Sequence, residues 1–162
     1  MKILKGGIVA AILSVLTLGL LSASALALPI TTPWTGTGGI ELQGGLGGSL
    51  CIITVDGFTD GNSIDDASFA GCRGAAGTPT GLFPWPVTWD AALTGGSVDI
   101  AAQVTILGVT CLYTGSVPFT YSGGATSGTI TLNGTVNRIS GGFPCPSSAT
   151  LRTLSPGITI TA

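Results

Sequence analysis

Residues 97–121, SVDIAAQVTILGVTCLYTGSVPFTY, form the longest apolar and β-branched stretch outside the N-terminus. Gly108 interrupts this stretch, and Cys111 lies near its centre. β-Branched and aromatic residues fit a pleated sheet, whereas glycine favours a turn. The stretch therefore predicts two or three central strands of an antiparallel β domain.

Shorter strand-like segments lie on both sides of this stretch, each bounded by Gly, Pro, Asn or Asp. The clearest are residues 50–55 and residues 129–139, and the second contains Asn133-Gly134, the dipeptide of a tight hairpin turn. Beyond the N-terminus, no window shows sustained helical periodicity. These patterns predict an all-β fold of about eight to ten short strands. We expect an antiparallel β-sandwich, with a β-barrel as the alternative.

Residues 1–27, MKILKGGIVAAILSVLTLGLLSASALA, have the layout of a secretory signal. A short basic start precedes an apolar centre and then small residues suited to cleavage. A transmembrane anchor is the alternative, but the apolar centre is short for a hydrocarbon core of about 30 Å. We expect residues 1–27 to be cleaved from a secreted protein. Residues 28–39 are then a mobile lead-in, and residues 40–162 form a single domain.

Charge argues against two classes of partner. The only basic residues after position 27 are Arg73, Arg138 and Arg152. Nucleic-acid binding and attachment to an anionic membrane both require many basic groups, so we expect neither. The chain also contains no histidine. Because the usual base for a serine or cysteine nucleophile is therefore absent, we expect no enzymatic activity and no catalytic residues.

The four cysteines predict two disulfides in an exported domain. We favour the pairs Cys51–Cys72 and Cys111–Cys145, because each pair flanks a long loop. The two other pairings remain open. A zinc site is disfavoured, because it would require closely spaced cysteines or histidines.

An acidic segment is the only candidate for metal binding. Its oxygen-bearing side chains could gather around calcium, and they are Asp56, Asp60, Asn62, Asp65 and Asp66. The alternative, which we favour, is a solvated loop in which Asp and Asn cap turns. No other cofactor is expected.

Aromatic residues give the candidates for ligand binding. Phe83, Trp85 and Trp89 would share one face of an extended strand, and Tyr113 lies in the central stretch. If exposed, this face would bind a carbohydrate or a small apolar ligand. If buried, it would supply core packing, which is the interpretation we favour.

The pieces Cys111-Leu-Tyr-Thr-Gly and Cys145-Pro, together with the signal peptide and the Gly/Thr-rich β pattern, carry a resemblance. The chain resembles small, uncharacterised secreted β proteins of high-GC Gram-positive bacteria. This resemblance implies bacterial export and transfers no site residues.

Three functions remain open at this stage. The leading hypothesis is an exported, non-enzymatic protein that acts by surface interaction with a carbohydrate or protein partner at the cell surface, or as a structural envelope component. The second is a binding module for a carbohydrate or small apolar ligand that uses Trp85 and Trp89. The third and weakest is a secreted hydrolase with two paired aspartates.

Overall fold

The computed structural model describes residues 33–45, 47–57, 62–74 and 77–162. The predicted signal peptide (1–27), the first part of the predicted lead-in (28–32) and Asp60 lie outside the described residues. Among the described residues, no helix is long and apolar enough to cross a membrane.

Nine strands make up the described chain. They are β1 (Trp34–Gly44), β2 (Gly47–Gly57), β3 (Ser63–Gly74), β4 (Thr80–Gly81), β5 (Trp85–Trp89), β6 (Gly95–Ile106), β7 (Val109–Gly123), β8 (Ser127–Ser140) and β9 (Ser148–Thr161). Every pairing between them is antiparallel. Eight strands follow one another around a closed barrel, in the order β1, β2, β3, β5, β6, β7, β8, β9 and back to β1. The short β4 pairs with β6.

The all-β prediction is confirmed, but the sandwich is wrong and the barrel alternative is correct. β1 pairs with β2 on one side and with β9 on the other. Because the first and last strands join in this way, one sheet closes on itself and no second sheet is needed to cover its apolar face. The described strands thus form an up-and-down β-barrel.

The central stretch, residues 97–121, forms central antiparallel strands, as predicted. It contributes β6 and β7, which pair from Gly95↔Thr120 to Ile106↔Val109. The turn between them consists of Leu107 and Gly108, with φ angles of 49° and 81°. Two consecutive positive φ angles define the hairpin turn whose twist matches the flanking strands.

Two local predictions differ from the structure. Residues 34–39 belong to β1 and are not part of a lead-in, because Trp34 and Gly36 face the interior while Thr35 and Thr37 face solvent. This alternation places a Gly/Thr-rich segment in the barrel wall.

Asn133-Gly134 forms no hairpin and lies inside β8, beside a shift in its register with β9. A Cβ on Gly134 would lie 2.9 Å from Pro118 Cδ. The glycine therefore allows β8 to approach β7 closely.

Both disulfides join the pairs that the sequence favoured. Cys51–Cys72 links β2 to β3, and Cys111–Cys145 links the start of β7 to the loop between β8 and β9. All the cysteines of the described chain are thus oxidised. The core occupies the barrel interior, where alternate side chains of each strand meet.

Candidate functional site

The two ends of the barrel differ in chemistry. One end, called here the acidic end, contains the strand termini around the β2–β3 and β5–β6 connections. Its acidic residues in the described chain are Asp56, Asp65, Asp66 and Asp90. The other end, called here the apolar end, contains the β6–β7 turn and the β8–β9 loop, residues 141–147.

Three large apolar side chains are exposed at the apolar end. The exposed fractions are 83% for Leu107, 60% for Ile139 and 90% for Phe143. Leu107 is in the β6–β7 turn, Ile139 is near the end of β8, and Phe143 is in the β8–β9 loop. The described residues of the connections at this end, 45, 77–79, 107–108 and 141–147, include no charged residue. This end therefore combines protruding apolar groups with uncharged connections, and its basic groups are Arg73 near the end of β3 and Arg138 near the end of β8. Exposed apolar groups of this kind are common at interaction sites.

The β8–β9 loop is fixed in place by three contacts. Cys145 is bonded to Cys111, the Tyr113 hydroxyl donates to Pro146 O over 3.1 Å, and the Arg138 guanidinium donates to Cys145 O. A loop held in this way presents Phe143 from a rigid base, which lowers the entropy lost when the ring binds.

Leu107 occupies an unusual backbone conformation. Its φ of 49° lies in the left-handed region, which costs a residue with a Cβ roughly 1–2 kcal/mol relative to the ordinary helical region. Asn, Asp or Gly would normally occupy this turn. A strained position that exposes a large apolar side chain points to function, since neither feature stabilises the fold.

Not all charged groups are at the acidic end. Arg152 forms an exposed ion pair with Glu41 over 2.6 Å, on the outer faces of β9 and β1. Hydrogen bonds from Arg152 and then from Gln43 lower the pKa of Glu41 below its ordinary value. The pair is neutral overall, so it adds no net charge to this half of the barrel.

The aromatic candidates lie in the core or against it. Trp85 and Tyr113 are each only 3% exposed. Phe83 packs on Trp85 with ring centroids 4.5 Å apart, and Trp89 is half-buried, edge-on to Phe119 at 5.0 Å. Trp85 and Tyr113 line the same cavity. The four residues therefore form no exposed aromatic platform, which agrees with the core interpretation.

Burial also affects the two tyrosines of the chain. Desolvation raises the pKa of both Tyr113 and Tyr121 above the usual value. The Tyr121 hydroxyl donates to Gly124 O over 2.5 Å. Both phenols are thus kept neutral by the barrel wall.

The acidic candidates are only partly assembled. Asp56 and Asp66 are direct register partners on β2 and β3, and both are exposed, whereas Asp65 is half-buried. In the part of the chain that the structure describes, no three Asp, Glu, Cys or His side chains come together as a metal site. Asp60 lies outside the described residues, so the solvated loop remains the prediction and calcium binding the untested alternative.

Leu107, Ile139 and Phe143 were not among the site residues predicted from the sequence. One signal was present, because Leu107 sits beside the glycine that interrupts the central stretch and Phe143 follows two glycines. Their common location depends on which connections meet at one end of the barrel, and sequence spacing does not give this.

The fold and its surface define a small, disulfide-bridged, eight-stranded barrel whose most exposed large apolar side chains lie at one end. The whole chain, residues 1–162, matches the family described as "Alkane oxidation protein activator PraA/PraB-like". The protein therefore belongs to this family, whose description as an activator indicates an accessory, non-catalytic role. No curated protein and no solved structure matches the chain.

Proposed function

We propose that this protein is an exported accessory factor for alkane oxidation that adsorbs to hydrocarbon surfaces through its apolar end. The observation that carries the proposal is the exposure of Leu107, Ile139 and Phe143 at an end whose connections have no charge. The family description supplies the process, alkane oxidation. The protein would act on the physical state of the hydrocarbon, while other proteins perform the oxidation.

Adsorption by one end follows from simple energetics. Removing apolar surface from water yields roughly 25 cal/mol per Å². The apolar end has no charged connection to desolvate, whereas contact through the acidic end would bury several aspartates at high cost. The protein should therefore sit on a hydrocarbon surface with its acidic end in water.

Export is part of the same proposal. Two disulfides suit an oxidising compartment, and residues 1–27 have the pattern of a cleavable signal. N-terminal mass analysis of protein recovered from the medium should find a chain that starts at Leu28 or Leu26. A chain that keeps Met1 and stays with the membrane fraction would contradict export.

Interfacial tension between hexadecane and water tests the adsorption. The test variant is Leu107→Ser/Ile139→Ser/Phe143→Ser, which removes the exposed groups of the apolar end. The control is Ile52→Ser/Leu82→Ser, which removes two exposed apolar groups farther from that end, of 57% and 40% exposure. We expect the natural protein and the control to lower the tension, and the test variant to lose most of this effect. If the test variant and the control behave alike, the apolar end is not the adsorbing surface.

A second measurement separates an accessory role from catalysis. Purified protein incubated with hexadecane alone should give no oxidised product. Added to cells that oxidise hexadecane, it should raise their rate of oxidation, and the apolar-end variant should do so less. Product formation by the protein alone would show an enzyme.

A further inference from the structure

The barrel interior contains a row of three small apolar cavities. The first, near the acidic end, has a volume of about 30 Å³ and is lined in part by Trp34, Ile64 and Phe119. The middle cavity, also about 30 Å³, lies beside Phe69, Ala102 and Leu151. The third, about 20 Å³, lies at the apolar end beside Gly44, Ile106 and Ala149.

Shared walls show that the cavities follow one another along the barrel. Ile40, Trp85 and Ile100 line both the first and the middle cavity. Leu42, Val104 and Tyr113 line both the middle cavity and the third. Strand β1 passes all three in chain order, from Trp34 through Ile40 and Leu42 to Gly44. A strand advances about 3.3 Å per residue, so the row extends over most of the barrel's length.

The cavities are lined mostly by apolar side chains. The polar exceptions are Ser49 and Gln103 at the middle cavity and Trp34 Nε1 at the first, which has no hydrogen-bond partner among the described residues. No charged side chain lines any of them. Trp85 lies between the first and middle cavities, and Tyr113 lies between the middle cavity and the third. Their polar atoms already have partners, because Trp85 Nε1 donates to Ala101 O over 2.8 Å and the Tyr113 hydroxyl donates to Pro146 O. A buried water needs two to four polar partners, whereas an alkyl chain needs none. Eight-stranded barrels are also wide enough to hold one small ligand.

The wall has one weakly closed seam that gives access to the middle cavity. β3 and β5 are paired only at Ser63↔Pro86 and Ile64↔Trp85. In the described chain, residues 66–70, 73 and 74 of β3 have ladder partners on β2 but not on β4 or β5. Phe69 of β3 and Pro79, which precedes β4, line the middle cavity at this seam. A seam with few backbone hydrogen bonds opens more readily than the rest of the wall.

We propose that the barrel binds one linear, unbranched alkyl chain along this row of cavities. The chain would enter through the seam between β3 and β4 and displace Leu42, which separates the middle cavity from the third. Leu42 is half-buried and can move toward solvent, unlike the fully enclosed side chains around it. Adsorption through the apolar end requires no interior ligand, so this proposal goes beyond the proposed function and can fail independently of it.

Trp85 and Trp34 line the cavities, so tryptophan emission reports on occupancy. The probes are n-decane and decalin, a linear and a bicyclic hydrocarbon of equal carbon number. We expect a saturable change of emission with n-decane and a much weaker response with decalin. The melting temperature should rise in parallel with n-decane concentration, because the ligand binds only the folded state.

A substitution that fills part of the row of cavities gives the decisive test of n-decane binding. Val104→Phe places a ring between the middle and third cavities, and Thr105→Phe places the same ring on the outer face of the same strand. We expect Val104→Phe to weaken n-decane binding about tenfold or more, and Thr105→Phe to leave it unchanged. Ala102→Leu, a smaller addition beside the middle cavity, serves as the filling variant if Val104→Phe does not fold.

The outcomes are separable from those of the adsorption test. The apolar-end triple Ser variant should keep n-decane binding while it loses adsorption. Three results would indicate surface contact and overturn the interior site. The emission change could persist in the folded filling variant, it could be equally large with decalin, or it could fail to saturate. Absence of both an emission change and a melting-temperature shift with n-decane would overturn it as well.

Discussion

The indole of Trp34 lies against the backbone of Gly57, its register partner on β2, so closely that a Cβ on Gly57 would be 2.0 Å from Trp34 Cε2. Trp34 is 3% exposed and closes the acidic end of the core. The pair thus depends on the missing side chain of Gly57, because the indole takes its place.

Gly57→Ala should therefore destabilise the barrel by about 1–3 kcal/mol, the usual cost of overpacking a core. Gly124→Ala is the control, since a Cβ there would meet nothing within 4 Å. Urea unfolding of both variants measures the difference. An unchanged free energy of unfolding for Gly57→Ala would show that Trp34 can move aside at little cost.

Thr153→Val should cost about 1–3 kcal/mol, although the two side chains have nearly the same shape. The Leu132 N–H donates to Thr153 Oγ1 over 3.1 Å, at the register shift between β8 and β9. Valine would leave this buried donor without a partner. Thr150→Val, on the exposed face of β9, is the control and should be nearly neutral. Equal stabilities of the two variants in urea would mean that Leu132 N–H finds another acceptor.

Removal of the Cys111–Cys145 bridge by the double variant Cys111→Ala/Cys145→Ala should lower the free energy of unfolding by about 3–4 kcal/mol. Amide exchange should speed up mainly in residues 141–147, because the bridge anchors that loop. The ladder between β2 and β3, which has its own bridge, should keep its protection. Uniform loss of protection across the barrel would argue against a local role.

Leu107→Asn should stabilise the protein while it weakens adsorption to hexadecane. Asparagine tolerates a φ of 49° better than leucine does, so we expect a gain of about 0.5–1 kcal/mol. Leu82→Asn, at another exposed position, should give no such gain. Thermal unfolding and interfacial tension together check the prediction, and a loss of stability would contradict the strain at Leu107.

Stability should fall at alkaline pH through the tyrosines. The folded state raises the pKa of Tyr113 and Tyr121 by burial, so their neutral forms are favoured on folding. Their contribution is complete below the unfolded pKa of about 10 and is lost as the pH rises through the higher folded values. Residues 28–162 contain no lysine, so few other groups titrate there.

The double variant Tyr113→Phe/Tyr121→Phe tests this dependence. It should be less stable at pH 7, because two hydrogen bonds are lost, and should show a flatter decline between pH 9 and 11. Urea midpoints across that range measure the slope. A slope as steep as that of the natural protein would assign the decline to other groups.

The sequence by itself determined the local features of the fold. The alternation in residues 97–121 and the break at Gly108 predicted β6, β7 and the turn between them, because strand period and turn chemistry act over a few residues. The favoured cysteine pairs also agree with the structure, since each closes an excursion between neighbouring strands.

Only the tertiary structure determined that the sheet closes into a barrel with two chemically different ends. A sandwich and a barrel bury the same alternate face of each strand, so the hydrophobic alternation of the sequence cannot distinguish them. The pairing of β1 with β9 identifies the barrel. Asn133-Gly134 likewise lies mid-strand, because close packing against Pro118 outweighs its preference for a turn. The grouping of Leu107 with Phe143 depends on the pairing of β7 with β8, which places the β6–β7 turn and the β8–β9 loop at the same end of the barrel.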